Sequence, residues 1–167
     1  MLKKLVPAAL WPWLIHKGSL TRRLKKSCAG ELQVRVLRQD WGKAYFEETQ
    51  VLGIHNSCRV WQREVLLLCD TYPWVYAKTI IPISTLHGSA RRLLYLNNRP
   101  LGAVLFSDPA IIREKLEIIS VNTQQYLYQK AIKYSAVKTN IFWGRRSLFW
   151  ISRRPLLVTE IFLQPPG

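Results

Sequence analysis

Arg59-Val60-Trp61-Gln62-Arg63-Glu64-Val65-Leu66-Leu67-Leu68-Cys69, the turn Asp70-Thr71-Tyr72-Pro73 and the run from Trp74 to Ile83 decide how this chain folds. Both flanks are rich in β-branched and aromatic residues and the four residues between them form turns readily. The stretch therefore predicts two long antiparallel strands. Alternation along the first strand puts Trp61, Arg63, Val65, Leu67 and Cys69 on one face, with Gln62 and Glu64 on the other. Arg63 is thereby aimed into an apolar core. A guanidinium there needs an anion, which is either an internal carboxylate or a bound ligand.

Upstream of this hairpin, Leu32, Val34 and Val36 alternate with Gln33 and Arg35 as a half-buried strand, and Trp41-Gly42-Lys43 reads as a turn. Ala44 to Leu52 is then expected as a second strand. Before these, Ser19 caps a short helix through Cys28, in which Leu20 and Leu24 share a face and Arg22, Arg23, Lys25 and Lys26 stay wet. Downstream, Ser84 or Thr85 caps a helix carrying Leu86, Ala90, Leu93 and Leu94. Asn97-Asn98-Arg99-Pro100 ends it, and Pro100 starts another short helix through Phe106. Ile112, Leu116 and Ile118 suggest a further strand. Residues 120–139 are read as a long loop or an added helix. Phe142 to Ser152 and Leu156 to Leu163 close the chain as a hairpin across Arg153-Arg154-Pro155. The sum is an α+β fold, with one antiparallel sheet and helices inserted at the start and in the middle.

The chain has 167 residues, enough for one domain with its own core. Its 25 Lys+Arg against 10 Asp+Glu leave a net charge of +15, which points to anionic partners: nucleic acid, a membrane surface or a small polyanion. The 3 cysteines, Cys28, Cys58 and Cys69, are odd in number and lack C-x-x-C spacing. A disulfide framework and a structural zinc are both disfavoured, and a reducing cytoplasm is expected. Met1-Leu2-Lys3-Lys4 and the apolar run after it have no small-residue cleavage pattern, so an amphipathic first segment packed on the domain is expected. No apolar stretch reaches the ~18 residues of a spanning helix, and the expectation is a soluble protein.

Two further features could carry chemistry. Glu160 stands in Leu156-Leu157-Val158-Thr159-Glu160-Ile161-Phe162-Leu163, a strand apolar on both faces. Desolvation of its carboxylate would favour the protonated form and suit acid–base work, although Arg63 and Glu160 could simply satisfy each other. In Pro100-Leu101-Gly102 the amides of Leu101 and Gly102 open a helix with no intrahelical acceptor and suit an anion. His16, His55 and His87 lack metal-ligand spacing, and neither a G-x-S-x-G turn nor a phosphate loop occurs. Cys69 reads as a small core residue. Arg22-Arg23-Leu24-Lys25-Lys26 and Arg145-Arg146 could bind phosphates, with solvated charge as the ordinary explanation.

Trp61 to Leu67, Pro73-Trp74 and Pro82-Ile83-Ser84-Thr85-Leu86 together resemble the central hairpin of the bacterial chorismate pyruvate-lyase family. Arg99-Pro100-Leu101-Gly102 with Leu105-Phe106, then Trp143-Gly144-Arg145-Arg146-Ser147, then Pro155 to Leu163, match in the same order. The resemblance runs from about Trp13 to Leu163. It implies a single chorismate lyase-like domain over 1–167, with flaps over a buried ligand. It also implies a cytoplasmic lyase, free of cofactor and metal, that converts chorismate to 4-hydroxybenzoate and pyruvate early in ubiquinone biosynthesis. Carried over, Arg63 and the amide of Leu101 hold the ring carboxylate, while Glu160 and Leu20 lie at the ring-hydroxyl end. The family commonly has methionine where Leu20 stands. Arg63 and Glu160 would be the catalytic pair.

The partners so implied are chorismate and 4-hydroxybenzoate, met by a monomer without nucleic acid. The charge adds peripheral contact with an anionic membrane as an expectation. The segment at about 120–140 is longer than the family pattern. Two rivals stand beside the lyase. A related fold serves as effector domain in transcriptional regulators, normally behind a winged helix for which this chain has no room. A basic nucleic-acid-binding protein would need its aromatics on one exposed surface, whereas here they follow buried strand phases.

Overall fold

Two three-strand meanders build the sheet in a computed structural model that describes residues 1–167. The first comprises β1 (Leu32–Lys43), β2 (Arg59–Cys69) and β3 (Tyr72–Pro82); the second comprises β4 (Ile111–Asn122), β5 (Ile141–Ile151) and β6 (Arg154–Phe162). They join along β3 and β6, giving one six-stranded sheet in the order β1-β2-β3-β6-β5-β4 with every pair antiparallel. This is the α+β class expected from the hairpin around Arg63. Five short helices attach to it: α1 (Trp11–Leu14), α2 (Leu20–Ser27), α3 (Phe46–Leu52), α4 (Leu101–Leu105) and α5 (Tyr126–Ile132).

Both faces of the sheet are covered, and β2, β3 and β6 are buried on both along most of their length. On the front, the N-terminal segment, α1 and α2 pack Val6, Leu10, Trp13, Leu14, Leu20 and Leu24 on Val65, Leu67, Val75 and Phe162. A second front cluster joins Leu86, Ala90, Leu93, Leu96 and Leu105 to Ile81, Phe149, Leu156 and Val158. On the back, α5 brings Tyr128 and Ala131 to Leu66, Tyr76 and Ile161, and α3 brings Leu52 to Val60, Ile80 and Leu157. No helix is long and apolar enough to cross a membrane.

Several local expectations give way. Trp41-Gly42-Lys43 is no turn: β1 runs through Lys43, pairing Trp41 with Trp61 and Gly42 with Val60. A bulge between Val36 and Arg38 lets one residue slip, so Leu32, Val34 and Val36 share the front with Gln39 and Trp41. The predicted strand from Ala44 to Leu52 is α3 instead. The Glu48 carboxylate accepts the Tyr45 amide at 2.9 Å, Glu47 and Glu48 sit in the first turn, and Gly53 closes the helix at φ 66°. Neither Ser84 nor Thr85 caps a helix. Ile83–Thr85 is a 3-10 turn, the next 3-10 helix begins at Gly88, and the Thr85 hydroxyl donates to the Pro155 carbonyl at 2.7 Å. The last hairpin turns at Ser152-Arg153, both with positive φ, one step before the expected place. The segment at about 120–140 holds an added helix, α5, after β4 has run on to Asn122.

The cysteines also depart from expectation. Cys28 and Cys69 form a disulfide, with Cα atoms 5.6 Å apart, and Cys58 stays free. Cys28 is the C-cap of α2 and Cys69 the last residue of β2, so packing α2 on the hairpin brings them together. A sequence separation of 41 offers no local spacing from which to read that pair.

Candidate functional site

Between the two front clusters, α2 and α4 close over the sheet and leave a narrow cavity. Its floor is apolar: Val34, Val65, Leu67, Ala77 and Val158 point up from four strands. The two helices meet at Gly102, where a Cβ would touch Thr21 Oγ1 at 3.4 Å and Ser19 Oγ at 3.5 Å. Leu20, Arg63, Leu101 and Glu160, the four residues singled out from sequence, all line this one cavity.

Arg63 marks one end. It is 3% exposed, as the alternation of β2 requires, and it pairs with no carboxylate. The bulge in β1 sets Gln39 opposite it, and Nη1 donates to Gln39 Oε1 at 2.8 Å and to the Asn97 carbonyl at 2.7 Å. Nη2 donates to the Arg99 carbonyl at 2.8 Å. Of the five N–H groups of a guanidinium, Nε and one hydrogen of Nη2 remain for a ligand. Burial pushes its pKa below the ordinary value. The carbonyls it grips immediately precede α4, where Pro100 sets the N-cap and the amides of Leu101 and Gly102 lack intrahelical acceptors. Arg63 and that first turn therefore face the same end.

Glu160 marks the other end. Register places it across from Ala77, itself across from Val65, whereas Arg63 lies across from Thr79 and Val158. Glu160 is thus two strands over and two residues along, about 12 Å between Cα atoms at ~4.8 Å per strand and ~3.4 Å per residue. The two do not satisfy each other. Glu160 Oε2 instead accepts Nε of Arg145 at 2.5 Å. Arg145 is 0% exposed, and its Nη1 also donates to the carbonyls of His16 at 2.5 Å and Trp13 at 3.4 Å. Those carbonyls end α1 and enter α2, so one arginine fixes both Glu160 and the segment leading to Leu20. Leu20, at 3% exposure, reaches the cavity from the first turn of α2, where Ser19 caps the helix by accepting the Arg22 amide at 3.3 Å.

The close approach of β5 to β6 depends on Gly144. A Cβ there would run into the Glu160 carbonyl and lie 2.7 Å from Ile161 Cδ1. In the sequence Arg145 stands in a basic pair and in a stretch that resembles the family, with no partner assigned to it. With the turn at Ser152-Arg153, counting back along both strands sets it directly opposite Glu160. A second arginine passed over in the sequence, Arg113 of β4, also lines the cavity. Its guanidinium lies 5.0 Å from the ring centres of both Phe106 and Phe149. The structure contains no group of three or more His, Cys, Asp or Glu side chains placed to hold a metal.

The cavity is thus an apolar slot with a two-donor arginine and free amides at one end and a buried ion pair at the other. The sequence model of the chorismate lyase family matches residues 2–166 of this chain. A protein of Methylococcus capsulatus named "Probable chorismate pyruvate-lyase" is 38% identical over 90% of this chain and 92% of its own length. One of the same name from Aromatoleum aromaticum is 39% identical over 95% and 86%. Among solved structures, the effector domain of PhnF from Mycobacterium smegmatis superimposes with a TM-score of 0.62 at 16% identity, covering 89% of this chain and 90% of that one. A GntR-family transcriptional regulator from Enterococcus faecalis gives 0.59 at 13% identity, covering 81% and 92%. These structural likenesses bear on the fold alone.

Proposed function

This chain belongs to the chorismate lyase family, and from that premise we infer that its cavity converts chorismate to 4-hydroxybenzoate and pyruvate. One observation carries the inference at the level of residues. Arg63 and Glu160 stand at opposite ends of one apolar cavity, about 12 Å apart at the backbone by sheet spacing. Chorismate is a cyclohexadiene with a ring carboxylate at one end. At the other end it has a hydroxyl, with an enolpyruvyl ether on the neighbouring carbon. The bond from ring carbon to ether oxygen breaks, and the hydroxyl-bearing carbon gives up its hydrogen as a proton. The C–H electron pair completes the aromatic ring. The departing enolpyruvate takes a proton at its methylene carbon and becomes pyruvate. Aromatisation drives the step, so the site must orient the substrate and steady the moving charge.

In this reading the free Nε and Nη2 donors of Arg63 and the Leu101 amide grip the ring carboxylate. Glu160, oriented by Arg145, accepts from the ring hydroxyl and is placed to assist proton movement there, and Leu20 packs at that end. Purified protein mixed with chorismate, without metal or nucleotide, should yield equal amounts of the two products on chromatography. Arg63→Ala is expected to lower kcat/KM by about 100-fold, the worth of a charge-assisted carboxylate grip. Unchanged turnover in that variant would remove the anchor role, and full activity in Glu160→Gln would remove any proton-transfer role for that carboxylate.

The wider setting belongs to the same proposal. The product is expected to feed ubiquinone biosynthesis in the cytoplasm, and the protein to act as a monomer beside an anionic membrane. Lys3, Lys4, Lys17, Arg22, Arg23, Lys25 and Lys26 precede the first acidic residue, Glu31. Leu2, Leu5 and Ile15 among them are exposed. Basic charge with exposed apolar side chains suits a lipid surface.

A further inference from the structure

Arg113 is the one cation lining the cavity that the reading above leaves without a task. It forms no salt bridge. Nη1 donates to the Lys17 carbonyl at 2.8 Å, and Nε is buried with no partner at all. Three of its five N–H groups, those of Nη2 and the second of Nη1, have no hydrogen bond within the protein either. Two aromatic rings at 5.0 Å hold the guanidinium in place without consuming a donor. The Lys17 carbonyl that it holds follows directly on the His16 carbonyl held by Arg145, the partner of Glu160, so the Arg113 guanidinium reaches back toward the Glu160 end.

We propose that Arg113 receives the carboxylate of the enolpyruvyl side chain, the second anion of the substrate. This rests on the reading of the cavity as a chorismate site. Geometry follows from connectivity: with the ring carboxylate at Arg63 and the hydroxyl at Glu160, the ether on the adjacent carbon must leave the ring near Glu160. Its carboxylate ends a short arm beyond that point. Arg63, committed to the far end, is out of reach. Charge agrees with geometry. Arg63, Arg113 and Arg145 against Glu160 leave two positive charges around the cavity, the complement of a dianion. Once the bond breaks, each product carries one carboxylate, and Arg113 holds the anion of the leaving fragment alone. It binds the group that distinguishes substrate from aromatic product.

The test compares the two ligands. Arg113→Gln and Arg113→Lys would be assayed for chorismate turnover and titrated with 4-hydroxybenzoate, with thermal unfolding as the check on folding. Arg113→Gln should lower kcat/KM for chorismate by about 10- to 100-fold, the worth of hydrogen bonds to a charged group, and leave the Kd for 4-hydroxybenzoate within about twofold. Arg113→Lys should recover part of the loss, and excess pyruvate should inhibit the unsubstituted protein more strongly than Arg113→Gln. Equal weakening toward both ligands would reduce Arg113 to a tie between Lys17 and the aromatic pair and overturn the proposal. Unchanged kcat/KM would overturn it as well. If the unsubstituted protein bound 4-hydroxybenzoate but turned over no chorismate, the lyase reading itself would fall, an outcome separate from either result in the variants.

Discussion

Arg145 has a single anionic partner, Glu160, and no exposed surface. Removing one member of such a pair leaves the other charge buried without compensation, which typically costs about 3–5 kcal/mol. Glu160→Gln should therefore lower stability by about that much in urea titration, apart from any effect on chemistry. Arg145→Met combined with Glu160→Leu should recover most of the loss while remaining inactive. His16 gives a second prediction at this scale. Its pKa lies below the ordinary 6.5 through burial, then Arg23 and Arg145, with Arg113 adding less and a hydrogen bond involving Ser19 opposing them. Between the folded and unfolded values the unfolded chain binds more protons, so stability rises with pH across that window. Lowering the pH through it should destabilise the protein, and His16→Gln should flatten that part of a stability-against-pH curve.

The elements differ in how much of themselves they announced. The strands through Arg63 and Glu160 were legible because length, apolar content and turn residues agreed, and alternation alone aimed Arg63 inward. The short helices before Cys28 and after Pro100 were legible from their starting residues. What failed was information carried across the sheet. The bulge that continues β1 past Val36 has no residue signature of its own. The partner of Glu160 depended on a hairpin register three residues from the expected one, which would have set Leu148 and not Arg145 opposite it. The stretch expected as strand from Ala44 to Leu52 carries the start and stop signals of α3, Glu47, Glu48 and Gly53. The Cys28–Cys69 bond ties the end of α2, and with it one wall of the cavity, to β2. Closing a loop across 41 residues is worth up to about 3–4 kcal/mol by chain entropy. Denaturant titration with and without dithiothreitol should show a difference of that order. Cys28→Ser should unfold at the same midpoint in both.

At the scale of the molecule, the net charge of +15 is too large for a small dianion alone to account for. If the basic N-terminal segment meets lipid, binding to vesicles rich in anionic lipid should be measurable at low ionic strength and fade as salt shortens the Debye length below about 8 Å. Failure to sediment with such vesicles even at low salt would end that reading. The architecture has another consequence. The two meanders share only the β3–β6 seam, and Arg63 belongs to one while Glu160 and Arg113 belong to the other. A chain divided in the connection Ser107-Asp108-Pro109 would yield two fragments, each with three strands and an incomplete set of charges. Neither could aromatise the ring alone. Fused to a pair of interacting proteins, they would make a reporter whose signal is a phenol released only where the two halves have found each other.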